Sequence, residues 1–384
     1  MKRTIYILLL ILIIPTIVVG ADIEGFIIEE QLDMFDTQEL ESFIEDVLKE
    51  NEAIKGFNFK DIIKQTIKGE RIFNKDALQN FIVETFFSEI KVSLGFLAKI
   101  IAITMISALI TNLQGTFENS SVSQIANYVT YMVLAILILG SFYQLMEVVK
   151  VTIVNMVRFM EIIMPILLTF LVIAGGPNTK VLFHPMIIGS VNLIGVLVQN
   201  IIIPLIYFSF IVSILANLSQ RAELKKISEL GRQVITFIIT AAFTIFIGII
   251  TIYGLSTKMD GITIRTAKFA IDNFVPIVGG FLSDAVETVI GSSAILKNGI
   301  GIIGLVILII ITVLPVIKIS VLLFIYKVIS AVIEPIVSSN ISNFFTDISK
   351  TLLLILISLV SVSIMFFITI TIIVDTGNSL IMLR

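Results

Sequence analysis

Residues 351–374 read TLLLILISLVSVSIMFFITITIIV and contain no charged side chain. About 20 helical residues cross a bilayer hydrocarbon core of about 30 Å, so this block is long enough to span a membrane. Val234–Leu255 is a second such block, and the chain between Val92 and Val374 is apolar almost throughout. Backbone groups in lipid must be bonded within their own segment, so these runs predict helices. We expect an all-α, polytopic membrane protein.

The composition agrees with this class. Hydrophobic residues make up 57% of the 384 residues and charged residues 14%, against about 25% charged in soluble domains. The mean hydropathy is +1.06. The net charge of −3, without a basic run interleaved with aromatic residues, argues against a nucleic-acid surface. The absence of cysteine excludes disulfides, thiolate metal sites and a cysteine nucleophile within this chain.

Residues 1–21 have the three parts of an export signal. Lys2 and Arg3 precede an apolar run from Ile5 to Val19, and small residues follow at Gly20 and Ala21. We predict a cleaved signal peptide, with an uncleaved signal anchor as the alternative. In either case the following segment is placed outside the cytoplasm.

Residues 22–91 are predicted to form an acidic, helical extracytoplasmic domain. Twelve acidic residues lie between Asp22 and Glu52, with Lys49 the only base among them. A helix is expected after Asp36, where apolar residues recur at helical spacing, namely Leu40, Phe43, Ile44, Val47 and Leu48. About 70 residues form only a small core, so this unit should lean on the membrane region or on a partner. Its acidic residues are as consistent with a solvated face as with a binding surface.

The region 92–384 is predicted to be the transmembrane domain. We expect seven spanning segments, near 92–113, 125–146, 159–174, 186–218, 234–255, 299–330 and 351–374. Met186–Leu218 carries Pro204 near its middle, and Gly299–Ile333 carries Pro315 and Lys318. These two blocks predict broken helices or hairpins lining a polar cavity, with proline kinks packed inside a bundle as the alternative.

The charges of the loops conflict with the export signal. Ser219–Arg232 is basic, which marks a cytoplasmic loop, whereas Gln114–Gln124 has no Lys or Arg, which marks an external one. With an exported N-terminus and seven simple crossings, both loops fall on the wrong side. A hairpin at Met186–Leu218 would return the basic loop to the cytoplasm. We follow the export signal and accept the misfit at Gln114.

Residues 257–298 are the least lipid-like part of the second half. Charges recur every few residues among Phe269, Phe274 and Phe281. Two short amphipathic helices meeting at Pro276 and Gly279–Gly280 fit this pattern, either as a re-entrant element or on the membrane surface.

One part of this stretch carries a family resemblance. The run RTAKFAIDNFVPIVGGFLSDAVETVIGS at 265–292 resembles the signature of the stage III sporulation protein AE family, as do Met164–Thr169, His184–Pro185 and Glu334–Pro335. The resemblance implies a component of the channel-like complex that links mother cell and forespore in an endospore-forming bacterium. It implies a place in the mother-cell membrane around the forespore, beside an ATPase, small membrane proteins and ring-forming partners. It implies no catalytic residues.

The residues themselves do not favour an enzyme. His184 is the only histidine, so neither a His-based triad nor a multi-histidine metal site can form within the chain, and no nucleotide-binding loop is present. We predict no catalytic, cofactor-binding or metal residues. An intramembrane carboxylate enzyme would need residues that could all lie at membrane boundaries, namely Glu147, Glu161, Glu334 and Asp375.

Two functions remain, a subunit of a multi-protein channel or an autonomous secondary transporter for a small solute. Lys318 is the most informative charge, because it lies deep in its block, whereas Lys327 and Glu334 can snorkel from a segment end. The expected partners are other membrane proteins and lipid, with a homo-oligomer open. The candidate structural or pathway residues are Pro204, Pro276, Gly279, Gly280 and Lys318.

Overall fold

The computed structural model describes residues 38–49, 75–114, 120–173, 177–219, 222–274, 279–335 and 339–382. These residues are helical almost throughout and include no strand, which confirms the predicted all-α class. The helices are α1 (Gln38–Lys49), α2 (Lys75–Gln114), α3 (Ser120–Ile173), α4 (Pro177–Leu197), a π-helical turn (Val198–Ile202), α5 (Ile203–Ser219), α6 (Ala222–Phe274), α7 (Gly279–Ile333) and α8 (Ser339–Met382).

The long helices run up and down as one bundle. Tyr131 of α3 donates a hydrogen bond to the carbonyl oxygen of Ile214 in α5, and Gly195 of α4 approaches Val157 of α3. These pairs make α3 antiparallel to the continuous rod α4–π turn–α5. The α5–α6 and α7–α8 pairs are also antiparallel neighbours, as the hydrogen bonds from Ser209 to the carbonyl oxygen of Ser228 and from Ser330 to that of Ser342 show.

The start of α3, the end of α5 and the start of α8 therefore lie at one end of the bundle, where Tyr131 contacts Ile214 and Phe344. The end of α3 lies towards the other end, where Lys297 of α7 contacts Val374 of α8.

The core is built from aromatic stacking and close helix approach. Phe142 of α3 stacks on Phe210 of α5 with ring centroids 3.6 Å apart. The most extensive helix pair is α7 with α8, where a Cβ atom added at Gly301 would collide with Val374 of α8. Small residues at such crossings let membrane helices approach closely, which replaces the hydrophobic drive that lipid removes.

Helix α1 packs against the bundle as the sequence pattern predicts. Leu40, Phe43, Ile44 and Val47 are buried and belong to the main core. Phe43 stacks on Phe159 of α3 at 5.6 Å between ring centroids. The exported location of this segment and its status as a domain stay predictions.

The π-helical turn has a local cause. Pro204 has no backbone N–H, so an α-helix would leave the carbonyl oxygen of Asn200 without its usual donor. Just before this proline the register shifts, and the N–H of Ile203 bonds to the carbonyl oxygen of Val198, five residues back. Pro204 itself is exposed.

The expected spans at 125–146 and 159–174 were wrong as separate segments. Both belong to α3, a single helix of 54 residues. The charges between them suggested a loop, but Glu147–Arg158 contains no Gly or Pro that would end a helix. Broken helices or hairpins were expected at Met186–Leu218 and Gly299–Ile333, and the hairpins were wrong. The first block is a rod interrupted by the π-helical turn, and the second lies within α7.

The prediction of two short helices within 257–298 was also wrong, because the described parts of this stretch belong to two long helices. Long helices α6 and α7 approach this point, ending at Phe274 and beginning at Gly279, and Pro276 lies outside the described residues. Helix α2 crosses the predicted domain boundary at 91 without a break. The signal peptide also lies outside the described residues, and the domain division stays a prediction.

Candidate functional site

Five described helical stretches are long and apolar enough to cross a membrane. Three of them are uncharged along 24 residues or more: Pro185–Ser219 in α4–α5, Gln233–Thr257 in α6, and Thr351–Val374 in α8. Uncharged runs also lie in α3 (Ser120–Met146) and α7 (Asn298–Ile317), but charges follow them farther along the same helices. In α8 the uncharged run between Lys350 and Asp375 is 24 residues, about 36 Å long at 1.5 Å per residue. We call these three helical regions the charge-free side.

One edge of the charge-free side is marked by a buried polar group that we call the Asp347 cluster. Asn217 of α5 donates a hydrogen bond to Asp347 of α8 at 3.0 Å. Arg232 of α6 lies 3.6 Å from the same carboxylate, and the Arg232 and Asp347 side chains are only 9% and 4% exposed. Lys350, half exposed, lies 3.3 Å from Asp347. Neither terminal nitrogen of Arg232 has a hydrogen-bond partner in the described part of the chain.

Lys297 of α7 marks the opposite edge. It is fully buried and donates a 2.7 Å hydrogen bond to the carbonyl oxygen of Val374 in α8. Charged side chains thus lie at both ends of the uncharged run of α8, where a bilayer core would begin and end.

Helix α3 carries charges at the depth where the charge-free side has none. Tyr131 contacts Phe344 beside the Asp347 cluster. Ile163 meets Gly304, which also neighbours Ile370 near the Lys297 edge. Four charged residues lie between Tyr131 and Ile163 along α3, and all four are exposed: Glu147, Lys150, Arg158 and Glu161.

Helix α2 continues this pattern. Phe96 contacts Tyr326, which contacts Phe345 beside the Asp347 cluster. Between Phe96 and the N-terminus of α2 lie Lys91, Glu89 and Glu84. Glu89 lines a cavity together with Lys318 of α7, so these charges lie at the depth of the uncharged run of α8. We call the outward surfaces of α2 and α3 the charged side. Ionised groups at membrane depth face water or protein and not lipid tails.

A cavity of about 420 Å³ opens on the charged side, and we call it the Lys318 cavity. Glu89 of α2, Glu147 of α3 and Lys318 of α7 line it, together with Thr152 and Asn155. Lys318 is half-buried and forms no hydrogen bond or ion pair with another described residue. Two acids and one base therefore line this cavity, and the role of Lys318 in a polar interior of the assembly stays a prediction.

Pro315 also lines the Lys318 cavity. Because proline lacks an N–H, the carbonyl oxygen of Ile311 loses its helical donor, and Ile311 lines the same cavity. Prolines at membrane depth are tolerated where neighbouring groups or water satisfy the freed backbone.

A second cavity, of about 550 Å³, lies farther along α3 and is lined by Arg158, Glu161, Gln199 and Glu39. Gln199 belongs to the π-helical turn and Glu39 to α1. Arg158 lies 5.9 Å above the ring of Phe43. Helix α1 borders both cavities, since Val47 lines the Lys318 cavity. We call this second cavity the Arg158 cavity.

The candidate residues in the described part of the chain do not come together in one site. Lys318 lines a cavity, whereas Pro204 lies on the exposed surface of α5. Gly279 and Gly280 begin α7, and Pro276 is outside the described residues. The functional roles of all five stay predictions.

Three buried charged residues escaped the sequence reasoning. Arg232 was read only as part of a basic loop, and neither Asp347 nor Lys297 was singled out. The sequence did offer a signal for Asp347, because it is flanked by Phe344, Phe345 and Ile348. An aspartate in such apolar surroundings is almost never buried unless it is paired, so a partner could have been expected. The partner, 115 residues away in sequence, could not be read from the pattern.

Within the described residues, no three His, Cys, Asp or Glu side chains are grouped to hold a metal ion. The acids considered for an intramembrane enzyme are dispersed. Glu147 lines the Lys318 cavity, Glu161 lines the Arg158 cavity, and Glu334 is exposed at the end of α7.

These features define a polytopic helical membrane protein with polar cavities on one side of the bundle. The sequence profile described as stage III sporulation protein AE matches residues 57–377, so the chain belongs to that family. It is 34% identical to the stage III sporulation protein AE of Bacillus subtilis (strain 168) over 350 residues, which are 91% of this chain and 88% of the relative. No solved structure matches the chain.

Proposed function

We propose that the chain is a non-enzymatic membrane subunit of a multi-protein channel that links mother cell and forespore during endospore formation. The observation that carries the proposal is the charged side, where Glu147 and Lys150 are exposed at the depth of the uncharged run of α8. A protein surrounded by lipid would not maintain such a surface. A subunit buries it against other proteins or against water inside an assembly.

The proposed location is the mother-cell membrane around the forespore, with the N-terminal region outside the cytoplasm. The helix order supports this orientation. The start of α6, which carries Lys225 and Lys226, lies at the end of the bundle opposite to the start of α2. With an exported N-terminus, this basic segment is cytoplasmic, as the positive-inside rule requires. The conflict disappears for this loop because α3 is one crossing and not two, whereas the loop at Gln114 stays a misfit.

A cysteine at Glu50 tests the orientation, because the chain has no cysteine of its own. The Glu50→Cys chain should react with an impermeant thiol reagent in intact protoplasts. Labelling only after lysis would reverse the proposed orientation.

Co-purification tests the channel assignment. The tagged chain, purified from sporulating cells in mild detergent, should bring other membrane proteins, an ATPase and ring-forming proteins. A chain recovered without other proteins from cells that complete engulfment would contradict the proposal. A tagged, unrelated multi-pass protein expressed at the same level provides the control for non-specific capture.

The alternative is an autonomous secondary transporter for a small solute, and the Lys318 cavity favours it. Two carboxylates and an ammonium group converge there at membrane depth, as in the midplane sites of transporters. Purified chain in vesicles should then move a solute without any partner protein, and Lys318→Leu should abolish that movement. A channel subunit requires its partners.

A further inference from the structure

The charged side mixes exposed charges with large exposed apolar side chains. On α2, Phe87 is 57% exposed and Val92 is 73% exposed, next to Lys91 in the sequence. On α3, Tyr143 is 63% exposed, one helical turn before Glu147. Lipid excludes the charges, and open water disfavours aromatic and aliphatic groups in such number. A protein surface accommodates both, because interface cores are rich in aromatic residues and their rims are polar.

The charges that α2 and α3 themselves carry on this side are balanced in sign, whereas α1, which packs over α3 and borders both cavities, is acidic. Four are acidic and four are basic, in the order Glu84, Glu89, Lys91, Lys99, Glu147, Lys150, Arg158 and Glu161. Glu84, Lys91, Glu147 and Lys150 form no ion pair or hydrogen bond with another described residue. A surface with equal numbers of unpaired acids and bases is complementary in charge to a copy of itself.

Membrane geometry strengthens this complementarity. Copies of one chain in a bilayer are related by rotation about the membrane normal, which keeps every residue at its own depth. Glu147 and Lys150 lie three residues apart, about 4.5 Å along the axis of α3. Such spacing places both on one helix face. Lys150 of one copy can therefore meet Glu147 of another with little change in depth.

From this geometry we infer that the charged side of α2 and α3 is the surface through which a second copy of this chain binds. Such an interface is self-complementary, as in the cyclic dimers that dominate homo-oligomers. It leaves α6, the least buried of the five candidate spans, to face lipid. The inference does not depend on the channel assignment, because a transporter could associate in the same way.

Cysteine cross-linking tests the contact. Two differently tagged copies, one with Glu147→Cys and one with Lys150→Cys, are co-expressed and treated in membranes with a short bismaleimide. We expect a product at the mass of two chains that carries both tags. The matched controls are Phe237→Cys and Ile245→Cys on α6, which are 73% and 62% exposed. We expect about tenfold less two-chain product from them.

Charge reversal tests the cause of the contact. Glu84→Lys with Glu147→Lys makes the surface basic, and Lys91→Glu with Lys150→Glu makes it acidic. Like-charged copies should co-purify about tenfold less than native copies, and a basic copy mixed with an acidic copy should recover the loss. Recovery also shows that both variants fold.

Three results would overturn the inference. One is equal two-chain cross-linking from α3 and α6, and another is a lack of any two-chain product. The third is a product that contains a different protein in place of the second copy. If cross-linking fails while partner proteins still co-purify from sporulating cells, the inference is wrong and the proposed function stands.

Discussion

The charge-free side and the charged side lie in the same bundle at the same depth, yet they are built for different surroundings. In α8 the 24 residues between Lys350 and Asp375 contain no charge, whereas α3 exposes four charges between Tyr131 and Ile163. Both stretches are helical and on average apolar, so hydropathy does not separate them. The difference shows that length and apolar composition identify a helix suited to a membrane, while the position of a few charges decides what the helix faces.

The largest expected effect is at the Asp347 cluster, the edge of the charge-free side. Asp347→Asn keeps the shape of the side chain but leaves Arg232 buried without a counter-charge. We expect a loss of about 3–5 kcal/mol of stability, measured as thermal unfolding in detergent. Lys350→Gln, at a half-exposed position, should cost less than about 1 kcal/mol.

A second variant tests whether the loss comes from the uncompensated charge. The double variant Asp347→Leu with Arg232→Met should restore much of the stability, because neither charge is then left buried alone. Equal stability of Asp347→Asn and the native chain would show that the Arg232–Asp347 contact contributes nothing.

A charge added to each side compares them directly. Ile245→Lys, on exposed α6, should cost about 3 kcal/mol of insertion free energy if this surface faces lipid. Val151→Lys, on α3 and also exposed, should cost far less, because its neighbours are already charged. The difference is measured as the fraction of each variant that stays in the membrane after alkaline extraction. Similar losses at both positions would mean that the two sides share one environment.

The contact of α7 with α8 provides a test of packing. Gly301→Leu drives a side chain into Val374 and should destabilise the fold by about 1–3 kcal/mol. A Cβ atom added at Gly248 on α6 meets no atom within 4 Å, so Gly248→Leu, with its better helix propensity, should leave stability unchanged or slightly higher. Thermal unfolding of the two variants distinguishes close packing from a general intolerance of large residues.

The smallest effect on folding is expected at Lys318. Lys318→Leu should leave membrane insertion intact or improve it, since lysine at a helix centre costs about 3 kcal/mol. Sporulation should nevertheless fall, because the Lys318 cavity loses its base. Lys327→Leu, at an exposed position near the Asp347 edge, is the matched control. Normal spore yield from Lys318→Leu would mean that the Lys318 ammonium group only extends to water and has no role in sporulation.

Much of the fold could be predicted from local pattern. The apolar face of α1 at Leu40, Phe43, Ile44 and Val47 was predicted at helical spacing and is buried as expected. The number of crossings could not be predicted in the same way. Arg158 and Glu161 interrupt an apolar run just as a loop would, and only neighbouring helices and cavities allow them to stay within α3.

The sequence by itself determined the class of the protein, because long uncharged apolar runs cannot satisfy their backbone in lipid except as helices. It also marked Lys318 as a charge too deep to reach water easily. The tertiary structure alone decided which charges meet, as for Arg232 and Asp347, and which helices share a cavity. These contacts join residues more than 100 positions apart, and their energies depend on distance and burial, which local patterns do not encode.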